Sequence, residues 1–232
     1  MKTNPPDKIF NFGYDVIDKY AILTPENIAI EWSKNNDEKL KISYEELSHH
    51  SNISASYFEK IGIKSGEKVI ILVEDTVEFW IILIALHKLW AIAIPLNPSM
   101  LNKNELLSIC SSLKPDYLIT ANTPSLILNS ETLKAQNDSI KRMILIGATK
   151  FDWEDFYAGK RQAKAFYQNP SIIHAKETAL ITYSKSKKIA MKKHDFYYPL
   201  TLTTTTATNI IDRFYVTLLT GGTFKQHDGN SL

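Results

Sequence analysis

The sequence predicts an α/β fold of layered, mainly parallel sheets with flanking helices. Three observations carry that prediction. Helix-length segments alternate with short apolar runs: 76–89 then AIAI (91–94), 103–112 then YLIT (117–120), and 125–135 then RMILI (142–146). Such alternation across short polar turns is the pattern of a parallel sheet covered by helices. These runs, like VIILV (69–73), are apolar throughout rather than at every second position, as expected where both faces of a sheet are buried. Finally, 44% of the 232 residues are hydrophobic, with eleven Tyr, ten Phe and four Trp, enough for a core and against disorder.

The elements follow in order. Residues 11–22 place Phe12, Val16, Ile17 and Tyr20 on one face of a predicted helix. IAIEW (28–32) and LKISY (40–44) flank a polar turn and read as a hairpin. Ser43 and Glu46 have the spacing of a capping box. They open a helix through about Lys60 that carries Leu47, Ile53, Tyr57 and Phe58. Turns at Gly62 and Gly66 lead into 69–73, and the three helix–strand alternations follow. Residues 148–178 read as an irregular connection with one short helix near Trp153. A strand at 179–183 then runs into SKSKKIAMKKH, and the chain continues through YYPLTLTTTTATNII to RFYVTLLTGG and a polar tail.

Bulk properties exclude several classes. A net charge of +2 implies no strongly acidic or basic partner. A single cysteine, Cys110, rules out an intrachain disulfide, and beside Leu106, Leu107 and Ile109 it reads as a small core residue. MKTNPPDKIFNF has no apolar core of a secretory signal, so the cytoplasm is the expected location. The apolar stretch 79–95 carries His87 and Lys88 in its middle and reads as core rather than a membrane span. The six histidines show no metal-ligand spacing and read as surface or partly buried. Asp75 reads as a helix N-cap and Glu78 as an exposed helix residue. No acid–base pair or nucleophile elbow is present. The lysine cluster beside Tyr183, Phe196, Tyr197 and Tyr198 is too local to indicate nucleic acid.

TYSKSKKIAMKK is the stretch that could bear on phosphate. A phosphate loop needs amides converging on the anion, and glycines let the backbone curl that tightly. This segment offers Thr182, Ser184 and Ser186 with Lys185, Lys187, Lys188, Lys192 and Lys193, but no glycine. From the residues alone, a solvated basic loop is the favoured reading.

NFGYDVIDKYAILTPENIAIEW, and then the stretch from ISYEEL (42–47) through LNPSML (96–101), resemble the opening of acyl-CoA synthetases of the medium-chain type, within the adenylate-forming, AMP-binding enzymes. The resemblance runs over residues 10–120 and keeps the family's order of motifs. It implies the incomplete N-terminal domain of an adenylate-forming enzyme over residues 1–232, with the C-terminal domain absent. It also implies ATP-dependent activation of a carboxylic acid to an acyl-adenylate and transfer to coenzyme A, with magnesium.

The same family has a phosphate loop, TSGTTG-x-PK, followed by H-x-x-x-YPL; His194, Tyr198, Pro199 and Leu200 match the latter. Laid on without gaps, the loop places Thr182 on the first Thr and Ser186 on a later one. Ser184 and Lys187 fall at the glycine positions, with Lys188 near the lysine position. The resemblance thus implies Thr182, Ser184, Ser186 and Lys188 as a degenerate ATP phosphate loop. TLLTGGTFK resembles a later motif and implies Thr220 and Gly221 at the substrate site. No residue takes a catalytic or metal role. Trp90 stands where the family has a small residue.

The expectation is the N-terminal region of an acyl-CoA synthetase, inactive alone, that takes a small carboxylic acid and a nucleotide if functional. The alternative is a non-catalytic remnant or partner-binding module, prone to self-association through uncovered sheet edges.

Overall fold

The computed structural model describes residues 10–34, 38–74, 76–99, 101–165, 167, 177–183, 189–194 and 209–227. The chain opens with a π-helical segment, Gly13–Asp18, continued by α1 (Lys19–Leu23). The helix expected over 11–22 is therefore present but wider than an α-helix over its first part. Gly13 sits directly on Lys88: a Cβ there would stand 2.5 Å from Lys88 Cγ.

Strands β1 (Ile28–Lys34) and β2 (Glu38–Ser43) form the expected antiparallel hairpin. Helix α2 (Tyr44–Lys60) starts at the Ser43 capping box, in which Ser43 Oγ accepts from the Glu46 amide at 3.1 Å and Glu46 Oε2 from the Ser43 amide at 2.8 Å. Next come β3 (Lys68–Leu72), α3 (Val77–Lys88), β4 (Ile92–Pro95), α4 (Lys103–Leu113), β5 (Tyr117–Ala121), α5 (Pro124–Gln136) and β6 (Arg142–Ile146). Asp75 lies outside the described residues; Thr76 is the N-cap of α3 and makes no side-chain cap bond. The connection 148–178 holds a two-residue strand, β7 (Glu154–Asp155), and α6 (Phe156–Arg161). Strands β8 (Thr178–Tyr183) and β9 (Ile189–Lys193), helix α7 (Ile210–Leu219) and β10 (Phe224–His227) complete the described elements.

Seven strands lie in the order β7-β6-β5-β3-β4-β8-β9, parallel except for the antiparallel pair β8–β9. Successive residues of its central strands enter different cores. Val69 and Ile71 join a large cluster with residues of α2, α3 and α7, whereas Ile70 and Leu72 pack with Leu106, Ile109 and Cys110 of α4 and Leu133 of α5. Both faces are thus covered, which is why these strands are apolar at every position. A small sheet, β10-β1-β2, joins the large cluster through α3 and α7. Trp80 stacks on Phe214 at 4.2 Å between ring centroids, and its Nε1 donates to Gln226 Oε1 at 2.7 Å.

Two helices end in the same way with different residues. Gly62 closes α2 at φ +102°, with its amide and that of Ile63 donating to the carbonyls of Glu59 and Phe58. Trp90 closes α3 at φ +59°, where its amide donates to His87 and that of Ala91 to Leu86. Both are Schellman motifs, in which the residue beyond the C-cap takes the left-handed conformation. A side chain there costs on the order of 1–2 kcal/mol. At Trp90 the cost is met by burying an indole with 3% of its surface exposed.

Candidate functional site

The segment carrying the phosphate-loop resemblance is a β-hairpin. Parallel strand β8 delivers Thr182 and Tyr183 to one end of the large sheet, and β9 returns with Thr182 opposite Ala190 and Tyr183 opposite Ile189. Residues 184–188 between them lie outside the described residues, and with them the implied Ser184, Ser186 and Lys188. Tyr198, Pro199 and Leu200 lie outside as well. Thr182 is half-buried at the root of the hairpin. Beside it, Tyr183 and Ile189 form one wall of a cleft of about 490 Å³, and Asn104, Glu105, Ser108 and Ser112 of α4 help form the other. Glu105 is engaged at the α4 terminus, accepting from the Asn102 amide at 3.1 Å while Asn102 Oδ1 accepts from the Glu105 amide at 3.0 Å.

The basic-loop reading needs correction on its far side. Lys192 and Lys193 belong to β9, and Lys192 is buried in an ion pair with Asp212 of α7. Along β9 the usual polarity is inverted: Lys192 and the following His194 point inward, whereas Ile189 and Met191 are exposed. A reading that places apolar residues inside has no means of finding that strand. The buried carboxylate at Asp212 is what makes the lysine the inward residue.

Thr220 and Gly221 stand on other elements. Thr220 is the C-cap of α7, and its Oγ1 donates to the Thr217 carbonyl at 2.9 Å. Gly221, at φ +72°, faces the Tyr20 ring so closely that a Cβ would stand 2.7 Å from it. Tyr20 donates to the Leu219 carbonyl at 3.3 Å and Tyr44 to that of Gly222 at 2.8 Å. The glycine is required by this turn from α7 into β10, whereas Thr182 belongs to the large sheet.

Two polar clusters lie inside the fold. In the first, Lys88, with no exposed surface, donates from Nζ to Asp18 Oδ1 at 2.6 Å and Asn52 Oδ1 at 2.7 Å. Ser48 Oγ donates to the same Asp18 oxygen at 2.6 Å. Burial lowers the Lys88 pKa to about 8, with Asp18 opposing that shift. The Tyr14 hydroxyl donates to the Lys88 carbonyl at 3.0 Å, and Asn11 Nδ2 to that of His87 at 2.5 Å, so the π-helical segment and the residue just before its N-cap satisfy the open end of α3.

The second cluster joins His87, Trp90, His194 and Tyr215. The His87 and His194 centroids are 5.8 Å apart, those of Trp90 and His194 4.5 Å, and His87 Nε2 is hydrogen-bonded to the Tyr215 hydroxyl. The expectation of surface or partly buried histidines fails at these two, each 3% exposed. Among the described residues no group of three or more His, Cys, Asp or Glu could hold a metal, and no helix is long and apolar enough to cross a membrane. Cys110 is buried as expected, and burial pushes its pKa up to about 12. Glu78, expected on an exposed face, is half-buried and accepts from the Tyr157 hydroxyl at 2.8 Å.

A seven-stranded, mostly parallel sheet covered on both faces, with a β-hairpin at one flank, is the architecture of an adenylate-forming N-terminal domain. Residues 17–184 match the family model described as AMP-binding enzyme, and the chain belongs to that family. It is 27% identical over 134 residues to the human protein "Acyl-coenzyme A synthetase ACSM3, mitochondrial", covering 55% of this chain and 23% of that one. It is 25% identical over 166 residues to the Rattus norvegicus protein "Acyl-coenzyme A synthetase ACSM4, mitochondrial", covering 66% and 27%. The fold is similar to that of the anthranilate CoA ligase AuaEII in complex with anthranoyl-AMP, with a TM-score of 0.77 and 16% identity over 96% of this chain and 46% of that one. A long-chain-fatty-acid-CoA ligase from Archaeoglobus fulgidus gives a TM-score of 0.70 at 19% identity, covering 82% and 38%. The chain thus spans about a quarter of the length of these curated relatives and under half that of these solved ones.

Proposed function

We propose that this chain is the partial N-terminal AMP-binding domain, residues 1–232, of an acid–thiol ligase of the acyl-CoA synthetase type. The full reaction would join a carboxylic acid, such as a fatty acid, to ATP as an acyl-adenylate with release of pyrophosphate. The acyl group would then pass to coenzyme A with release of AMP. The single observation that supports this reading is the hairpin β8–β9, which carries Thr182 at the end of a parallel strand within the segment that matches the family.

On this reading the chain does not complete the reaction alone. Thr182, Ser184, Ser186 and Lys188 would contact the phosphates, with Thr220 and Gly221 toward the acid. Among the described residues the hairpin offers phosphate the hydroxyls of Thr182 and Tyr183, and the cleft's Glu105 is engaged by its own helix cap. None of these residues is placed to hold a magnesium ion by itself, so the metal would enter bound to the nucleotide's phosphates. Titration of magnesium-ATP into the purified chain by calorimetry, beside Lys188→Ala, tests the reading. Saturable binding that weakens in the variant supports it, and no heat from a folded sample sinks it.

One observation favours a second reading, a non-catalytic, partner-binding module in the cytoplasm. Strand β9 is the last of the large sheet among the described residues and exposes Ile189 and Met191, the latter 65% exposed. Light scattering of Met191→Lys beside the parent chain tests it: self-association that persists unchanged in the variant counts against this edge.

A further inference from the structure

Two imidazoles are buried together where β9 ends. His87 comes from the last turn of α3 and His194 follows β9, with ring centroids 5.8 Å apart at 72°. The Trp90 indole covers His194 at 4.5 Å. Among the described residues, His87 Nδ1, Trp90 Nε1 and both ring nitrogens of His194 are buried without a hydrogen-bond partner.

On the elements packed here Glu177, Lys193 and Arg213 are exposed, and the buried charged groups hold partners of their own. On α3, Lys88 turns to Asp18 and Asn52. On β9 and α7, Lys192 and Asp212 hold one another, and the Asp212 charge acts on Tyr215, whose pKa burial already raises. The π-helical segment and its N-cap bring Asp15, which accepts from the Asn11 amide, and the Phe12 ring, 6.3 Å from His87. Beside β8, Glu177 contributes its backbone carbonyl, accepting from the His194 amide at 3.1 Å. Among the described residues no carboxylate is in place to balance a proton on either ring, and a second proton would lie one ring contact away. Burial lowers the pKa of both, that of His194 to about 4 and that of His87 further with the help of His194.

We propose that the His87–His194 contact is an acid-operated clasp: neutral rings hold the end of β9 against α3 and α7, and protonation of His194 expels its ring and frees β9. Strand β9 is suited to such release, because β8 is its one sheet neighbour among the described strands. Trp90 makes the clasp, since a small residue at the α3 terminus would leave His194 without its indole cover.

The test uses the whole chain. Histidine resonances are followed by NMR and indole emission by fluorescence from pH 7.5 to pH 3.5, with amide exchange of β9 and α2 measured alongside. Expulsion of His194 uncovers the edge-packed indole to water, so the Trp90 emission, isolated by difference with Trp90→Phe, shifts to longer wavelength as His194 titrates well below pH 6.5. Protection of β9 amides falls by about tenfold per pH unit below about 6.5, the slope of a single proton taken up on opening, while α2 stays protected. His194→Phe keeps the ring contact, lacks the emission change and retains β9 protection into acid. His194 titrating near pH 6.5 with β9 protection constant overturns the proposal. So does His194→Phe losing β9 protection at the parent's pH. If that variant does not fold, the parent decides: simultaneous loss of β9 and α2 protection overturns the clasp.

Discussion

Lys88 holds Asp18 at 2.6 Å with none of its own side chain in contact with water, whereas Asp18 keeps a quarter of its side chain exposed. The two residues therefore depend on the pair unequally. Asp18→Asn leaves an ammonium buried without a counter-charge, for which the expected loss is about 3–5 kcal/mol. Lys88→Met removes the charge, fills nearly the same volume and leaves a carboxylate that water still reaches. Urea unfolding is expected to rank Asp18→Asn as the more damaging of the two, and the reverse order would place the ion pair's stabilising role elsewhere.

The same pair sets a pH dependence. With its folded pKa lowered to about 8 from 10.5, Lys88 gives up its proton in the folded state before the unfolded state does. Between about pH 8 and pH 10.5 the unfolded chain binds more protons at this site, so its contribution to stability rises with pH. The difference in unfolding free energy between the parent and Lys88→Met, which cancels other titrating groups, is expected to shift in favour of the parent across that window. A flat difference would show that Lys88 keeps its proton.

Trp90→Gly sets opposing effects against each other. Deleting a buried Trp ordinarily costs about 3–5 kcal/mol. Glycine relieves the left-handed strain at φ +59°, and the buried, partnerless Nε1 disappears as well. The expected net loss is about 1–2 kcal/mol. Trp80→Ala is the control: its Nε1 is satisfied by Gln226 and its backbone is helical, so it loses the full amount. Denaturant midpoints of the two variants separate the cases, and equal losses would remove the strain argument.

Ser43→Ala breaks the capping box that starts α2 and is expected to cost about 1 kcal/mol, seen as a lower urea midpoint with an unchanged slope. Asn102→Ala at the start of α4 makes the same prediction independently.

The central sheet was legible because its strands are short, wholly apolar and separated by helices; RMILI falls on β6 residue for residue. The Ser43 box was legible because a cap is a local pattern, and Asn102 with Glu105 offers the same one to a reader who includes Asn. Helix α7 was not legible, since Thr-rich sequence precedes it and the glycines that follow it, Gly221 and Gly222, suggest a turn. Strand β9 failed for a different reason. Lys192 is buried only because Asp212 waits for it twenty residues later, and a pair that distant leaves no mark on the local pattern. His194 stands in a motif legible in the sequence, but its burial against Trp90 and His87 is a tertiary fact. Of the implied phosphate loop, Thr182 alone is among the described residues, which run to Tyr183 and resume at Ile189.

The small sheet pairs β1 with β10 in parallel, Ile30 opposite Phe224. Ribosomes add about 5–20 residues per second, so Phe224 emerges on the order of 10–40 s after Ile30. Throughout that interval the hairpin β1–β2 has an unoccupied side, and Trp80 lacks the Gln226 oxygen that will later accept its hydrogen bond. A chain stalled before Phe224 presents a bare strand to its neighbours on the polysome. The late arrival of four residues thus governs when the nascent protein becomes safe from pairing with its own copies.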